Sequence, residues 1–145
     1  MGFARSLDLP SAAIRALPSS MAEARMKAKD ALGRQGEDVA ASYLADQGFT
    51  VLERNWRCEQ GEIDLVGVDG RDTVFVEVKT RSSTAFGHPF EAITDAKLAR
   101  LRRLSTAWCD AQEGRRPSVI RIDIVSVLIR DGGIPVVEHL RGVFR

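Results

Sequence analysis

The chain has 145 residues, 44% hydrophobic and 28% charged, which suits one globular domain with its own core and argues against disordered, collagen-like and coiled-coil chains. With 21 Lys and Arg against 20 Asp and Glu the net charge is +1, which argues against a polybasic tail, an acidic tail or a supercharged surface and leaves any electrostatic signal in how the charges are distributed. Cys58 and Cys109 form no CxxC pair, so they read as reduced packing residues rather than a disulfide framework or a zinc knuckle. No apolar run approaches the roughly 18 residues that cross a bilayer, and the opening lacks a basic start followed by a long apolar core, so the chain reads as cytoplasmic, without membrane association.

Residues 1–29, interrupted by Pro10 and Pro18, read as a flexible N-terminal extension to a domain spanning 30–145. From about residue 30, Leu32, Gly36, Val39, Ala40, Tyr43 and Leu44 recur at helical spacing, and Gly48 supplies a stop. Three short strands follow, FTVLERNW (49–56), EIDLVGV (62–68) and TVFVEVKT (73–80), the last two joined as an antiparallel hairpin through Asp69-Gly70. Beyond a loop rich in Gly, Pro and Ser, a second helix is expected over 95–112 with Thr94 as its N-cap and Gly114 past its end. Two further strands, VIRIDIVSVLI (119–129) and IPVVEHL (134–140), flank Asp131-Gly132-Gly133. The order α-β-β-β-α-β-β, without internal repeats, defines one α/β domain behind a tail.

The near-neutral total conceals two opposed zones. Between Glu59 and Glu77 stand six acids (Glu59, Glu62, Asp64, Asp69, Asp72, Glu77) and one base, Arg71; between Lys97 and Arg121 stand seven bases and two acids. A metal-dependent enzyme acting on a polyanion needs such a division, carboxylates holding the cation and Lys or Arg holding phosphates. Ordinary solvated surface gives the same counts.

Strand periodicity sorts the acids. In TVFVEVKT, Val74, Val76 and Val78 share one face while Phe75, Glu77 and Lys79 share the other. Glu62 and Asp64 share a face of the preceding strand, and the hairpin brings that strand alongside Glu77, so Asp64 and Glu77 can converge on one ion. Two carboxylates, a carbonyl such as that of Val78, and waters suit Mg²⁺. On the first helix Glu37 lies at the margin of the apolar stripe and can look toward the sheet, whereas Asp38 points to water. Gly33 and Gly36 allow the helix backbone a close approach.

With GEID followed by VFVEVKTR, the sequence resembles the PD-(D/E)XK nuclease superfamily, which includes type II restriction enzymes and archaeal Holliday-junction resolvases, and more narrowly the YraN-type bacterial proteins. The resemblance spans about residues 31–144, through GRQGEDVAASYL, NWRCEQGEIDLV, VFVEVKTRS, KLARLRRLSTAW and VIRIDIVSV. It implies a restriction endonuclease-like αβββαβ core, a mixed sheet flanked by helices. It also implies metal ligation by Asp64 and Glu77, a catalytic lysine at Lys79 and a helix-borne acid at Glu37. Ile63 stands where many members of the superfamily carry a Pro before the first acid. The implied activity is Mg²⁺- or Mn²⁺-dependent hydrolysis of phosphodiester bonds in DNA, branched or junction DNA included, leaving a 5′-phosphate and a 3′-hydroxyl. The alternative is a nucleic-acid binding module that keeps the fold without turnover. Resolvase-like relatives often pair, and a homodimer would place two sites on one duplex, although the residues do not demand one.

Candidate nucleic-acid contacts are Arg34, Arg81, Lys97, Arg102, Arg103 and Arg121. Lys97 lies on the inward stripe of the second helix (Leu101, Leu104, Trp108), from which it either reaches toward the carboxylates or a phosphate or snorkels to the sheet rim. Arg102 and Arg103 point away from that stripe, to a phosphate backbone or simply to water. Arg121 shares a strand face with Asp123 and most simply pairs with it. Phe86, His88 and Phe90 in the 81–93 loop either stack on unpaired bases or plug the core. Neither His88 nor His139 has zinc-ligand spacing. The absence of a Walker loop, a Rossmann fingerprint and a G-x-S-x-G turn sets aside nucleotide-driven, dinucleotide-dependent and serine-hydrolase chemistry.

Overall fold

The computed structural model describes residues 20–85, 87, 88, 90, 93–114, 116, 117 and 119–144. Helix α1 (Met21–Asp46) is followed by strands β1 (Thr50–Cys58), β2 (Gly61–Asp69) and β3 (Asp72–Arg81), helix α2 (Asp95–Ala111), and strands β4 (Val119–Leu128) and β5 (Val136–Phe144). Two compact units meet in the sequence at Ala31 and Leu32, and the sheet and α2 lie wholly in the second, to which the site belongs. Among the described residues no helix is long and apolar enough to cross a membrane.

The five strands form one sheet in the order β1-β2-β3-β4-β5. β1, β2 and β3 pair antiparallel in succession, β3 and β4 are parallel, and β4 and β5 antiparallel. A parallel pair requires a crossover, which α2 provides. Val74, Val76, Val125 and Val127 pack with Leu65, Ala40 and Leu44 of α1 on one face. Phe75, Ile122 and Ile124 pack with Leu101, Leu104 and Trp108 of α2 on the other. β3 and β4 are therefore covered on both sides, which explains their nearly continuous apolar sequences. The mixed sheet between helices is the α/β architecture expected from the sequence.

Two differences have local causes. Helix α1 begins at Met21 rather than near residue 30, where Ser20 caps it by accepting the Glu23 N–H at 3.2 Å. Its first turns are rich in Ala, Glu, Lys, Arg and Met, strong helix formers that need no buried face, so Met21 and Met26 stay exposed and leave no periodic signal. Residues 1–19 of the expected extension lie outside the described residues. Strand β5 runs through Arg141-Gly142 to Phe144; Gly142, at φ 64°, occupies a register shift opposite Ile122 and Ile124, and the strand resumes beyond it. The Thr94 cap forms as expected, accepting the Lys97 N–H at 3.2 Å.

Candidate metal centre

The sheet forks at the acids. Pairing of β2 with β3 ends at Leu65–Val76, yet β1–β2 pairing continues to Cys58–Gly61 and β3–β4 pairing to Arg81–Leu128. Beyond Leu65 and Val76 the two halves of the sheet part, and Asp64 and Glu77, next in register, stand at the mouth of the gap. The Val78 N–H, which a longer ladder would have paired, donates instead to Asp64 Oδ2 at 2.8 Å. A strand residue presents its N–H and C=O to the same side, so the Val78 carbonyl also faces the fork.

The side-chain phase changes at the same level. Leu65 packs on the α1 face, but Ile63, which strict alternation would place beside it, packs on the α2 face. On β1, Arg54 pairs with Asp38 of α1 at 2.6 Å while Trp56 packs against the α2 cluster. The residue between them, Asn55, has φ 54°, a left-handed conformation that Asn tolerates better than most residues.

Helix α1 brings the third acid over the fork because Gly36 lets it descend onto β3. A Cβ at residue 36 would lie 1.9 Å from Thr80 Oγ1 and 2.7 Å from Thr80 Cβ, so only glycine fits. Gly33, by contrast, has no neighbour that a Cβ would meet within 4 Å. Glu37 follows Gly36 and hydrogen-bonds the Asn55 side chain. Asp38 faces outward, as the helical angle predicts, with its side chain 70% exposed.

Glu37, Glu62 and Asp64 each offer a carboxylate oxygen, and the three lie within 4.8 Å of one another. Burial, the largest influence, pushes the Asp64 carboxyl up to about 7; Glu77, Glu37 and Glu62 push it the same way, and the Val78 N–H only partly opposes them. Burial also raises Glu37, partly offset by Asn55, while Glu62 adds to the rise. Asp64 and Glu37 thus resist ionising beside Glu62, whose Oε2 also meets Arg57 Nε at 3.1 Å, and three converging carboxylate oxygens around a buried acid suit an oxygen-seeking divalent cation. The donor set therefore fits Mg²⁺ or Mn²⁺.

Glu77 stands beside this trio rather than in it. Its Oε1 faces Lys79 Nζ at 3.2 Å and its Oε2 faces Arg100 Nη2 at 3.6 Å. The expected Glu77–Lys79 juxtaposition on one strand face is thus present. Lys97 is exposed on the first turn of α2, and the cation of that helix that meets a site carboxylate is Arg100, one turn further on. Sequence reasoning did not single out Glu62, Asn55 or Arg100. Glu62 shares strand parity with Asp64, a usable signal; the roles of Asn55 and Arg100 depend on the change of phase and on the seating of α2, which leave none.

Arg121 is not available to a phosphate. Its guanidinium, 7% exposed, binds both oxygens of Asp123 at 2.9 Å, Asp69 at 3.0 Å and Asp72 at 3.1 Å. Asp123 is buried, which alone would raise its carboxyl, but donors from His139 (2.7 Å), Arg121 and the Gly142 N–H (2.9 Å) hold it below the ordinary carboxylate range. This network ties the β2–β3 turn to β4 and β5. Arg34, Arg81, Arg102 and Arg103 are exposed, with Arg102 resting 4.3 Å over the Phe144 ring. Phe90 packs against the α2 core and His88 bonds Glu138 at 2.9 Å, whereas Phe86 lies outside the described residues.

Comparison with known proteins places these features in a family. Residues 36–127 match the model of the Uncharacterised protein family UPF0102, a span that begins at Gly36 and takes in Glu37, the fork, α2 and nearly all of β4. The chain is 58% identical over 118 residues to a UPF0102 protein of Arthrobacter sp. (strain FB24), covering 81% of this chain and 99% of that one. UPF0102 proteins of Beutenbergia cavernae (58%) and Streptomyces griseus (54%) match over the same shares of each chain. With more than half of its length matching the family model and full-length relatives above one-half identity, the chain belongs to the UPF0102, YraN-type family.

Proposed function

We propose that the protein is a Mg²⁺- or Mn²⁺-dependent endonuclease that hydrolyses phosphodiester bonds in DNA, branched or junction DNA included. The observation that carries this reading is the fork, where Glu37, Glu62 and Asp64 converge beside the Glu77–Lys79 pair and Asp64 is held back from ionising. Asp64, Glu62 and Glu37 would hold the ion, with Glu77 and the Val78 carbonyl facing the same gap. A divalent ion there supplies positive charge for the phosphoryl oxygens and makes a water easier to deprotonate.

The chain's own groups account for the rest. Lys79, 3.2 Å from Glu77, has its ammonium oriented by that carboxylate and placed to position the attacking water and offset charge developing on the phosphate. The exposed guanidiniums of Arg34, Arg81, Arg102 and Arg103 supply sequence-independent backbone contacts. The test is incubation with linear, single-stranded and four-way-junction DNA, with Mg²⁺, Mn²⁺ or EDTA. Cleavage that needs the ion and disappears in Asp64→Ala and Lys79→Ala, both still folded, is the expected result. Binding without cleavage under every condition would favour a non-catalytic nucleic-acid module, and cleavage retained by either variant would refute the site.

A further inference from the structure

Both oxygens of Glu77 face cations, and the two contacts differ. The Lys79 contact is 3.2 Å between groups 21% and 13% exposed on one strand; the Arg100 contact is 3.6 Å, and its guanidinium side chain is 39% exposed. Arg100 is therefore the looser and more solvent-accessible partner. It crosses to Glu77 over the start of β2, where a Cβ built on Gly61 would lie 3.6 Å from Arg100 Nη1 and 3.7 Å from Leu104 Cδ1. Gly61, at φ 137°, is in a conformation that favours glycine, so the GEID motif gives the long side chain a bare backbone to lie on. Glu77 is in consequence turned to cations while Glu37, Glu62 and Asp64 converge without it.

We propose that Arg100 is a phosphate-responsive positioning residue: it neutralises Glu77 in the substrate-free chain and transfers to a nucleic-acid phosphate when one arrives, leaving Glu77 to complete the cation site with Asp64. The inference rests on the cation-site reading above and adds to it a coupling between the two ligands. An arginine fork suits the exchange because carboxylate and phosphate offer it the same bidentate acceptor geometry. Cation and nucleic acid then strengthen each other's binding through one side chain, and the coupling is reciprocal.

The test uses the full chain. Mn²⁺ alone is titrated calorimetrically into the native protein and into Arg100→Gln, Glu77→Gln and the double variant. Arg100→Gln should bind Mn²⁺ about two- to fivefold more tightly than the native chain, the range set by one partly exposed ion pair. In the Glu77→Gln background the same change should have no effect. Duplex binding, read by fluorescence anisotropy, should weaken more in Arg100→Gln with Ca²⁺ present than in EDTA. Unaltered or weaker Mn²⁺ binding in Arg100→Gln, an equal gain in the Glu77→Gln background, or an equal loss of duplex affinity with and without Ca²⁺ overturns the inference. Mn²⁺ binding that is absent, or indifferent to Asp64→Asn, overturns the cation-site reading and the inference with it.

Discussion

Replacing Asp64 by Asn should stabilise the metal-free protein at neutral and alkaline pH. Asp64 is ordinarily a group of pKa 3.8, and burial among acids lifts it to about 7. At about 1.4 kcal/mol for each tenfold change in proton affinity, that rise corresponds to about 4 kcal/mol. The folded chain holds this proton more tightly than the unfolded chain does, so the contribution to stability is complete below about pH 4. It is lost progressively as pH rises toward about 7 and remains lost above that. An Asn at this position keeps an oxygen for the Val78 N–H, bonded at 2.8 Å in the native chain, and never ionises. Urea denaturation in EDTA should show the variant ahead by less than about 2 kcal/mol at pH 5 and by about 4 kcal/mol at pH 8, a melting difference on the order of 10 °C. Adding Mg²⁺ at pH 8 should narrow the gap by stabilising only the native chain. A variant less stable than the native chain at pH 8, or a gap that does not change with pH, would show that Asp64 is comfortably ionised without a cation and would refute the electrostatic argument.

Other predictions concern how the site is held in place. Gly36→Ala should destabilise the fold by about 1–3 kcal/mol and weaken Mn²⁺ binding by moving Glu37; Thr80→Ala should rescue it only in part, because Thr80 Cβ would itself lie 2.7 Å from the new methyl. Asn55→Gly should retain more thermal stability than Asn55→Ala, since φ 54° costs an ordinary side chain about 1–2 kcal/mol, and both should lower Mn²⁺ affinity by releasing Glu37. Asp123→Ala should cost about 1–3 kcal/mol in chemical denaturation, by taking one of three aspartates from Arg121 and leaving the His139 and Gly142 donors without their acceptor, and leave the Mn²⁺ affinity of the folded protein unchanged. Equal losses of metal affinity in Asp123→Ala and Gly36→Ala would contradict the assignment of Arg121 to a structural network.

The elements that read clearly in the sequence are those whose local chemistry and tertiary role agree. The β-branched runs of β3 and β4 are buried on both faces, Thr94 caps α2, and Gly36 sits where backbone meets Thr80. Glu37 and Asp64 were legible because helical angle and strand parity pointed them inward. Parity also sets Glu62 on the face of Asp64, but its place in the converging trio turns on the change of phase around Asn55, which no local pattern announces. The basic residues were hardest to place, since long side chains choose partners by tertiary distance: Lys97 stays outside, Arg100 reaches Glu77, and Arg121 turns inward to three aspartates. Charge counts along the chain cannot separate these fates.

The most direct measurement of the central claim is the anomalous scattering of Mn²⁺ in crystals of the protein soaked near neutral pH. A peak is expected in the fork between β2 and β3, ligated by Asp64 together with at least one of Glu37, Glu62 and Glu77, and absent from Asp64→Asn crystals. Manganese bound only elsewhere, or no ordered ion at millimolar concentration in crystals whose fork is open to solvent, would contradict the claim.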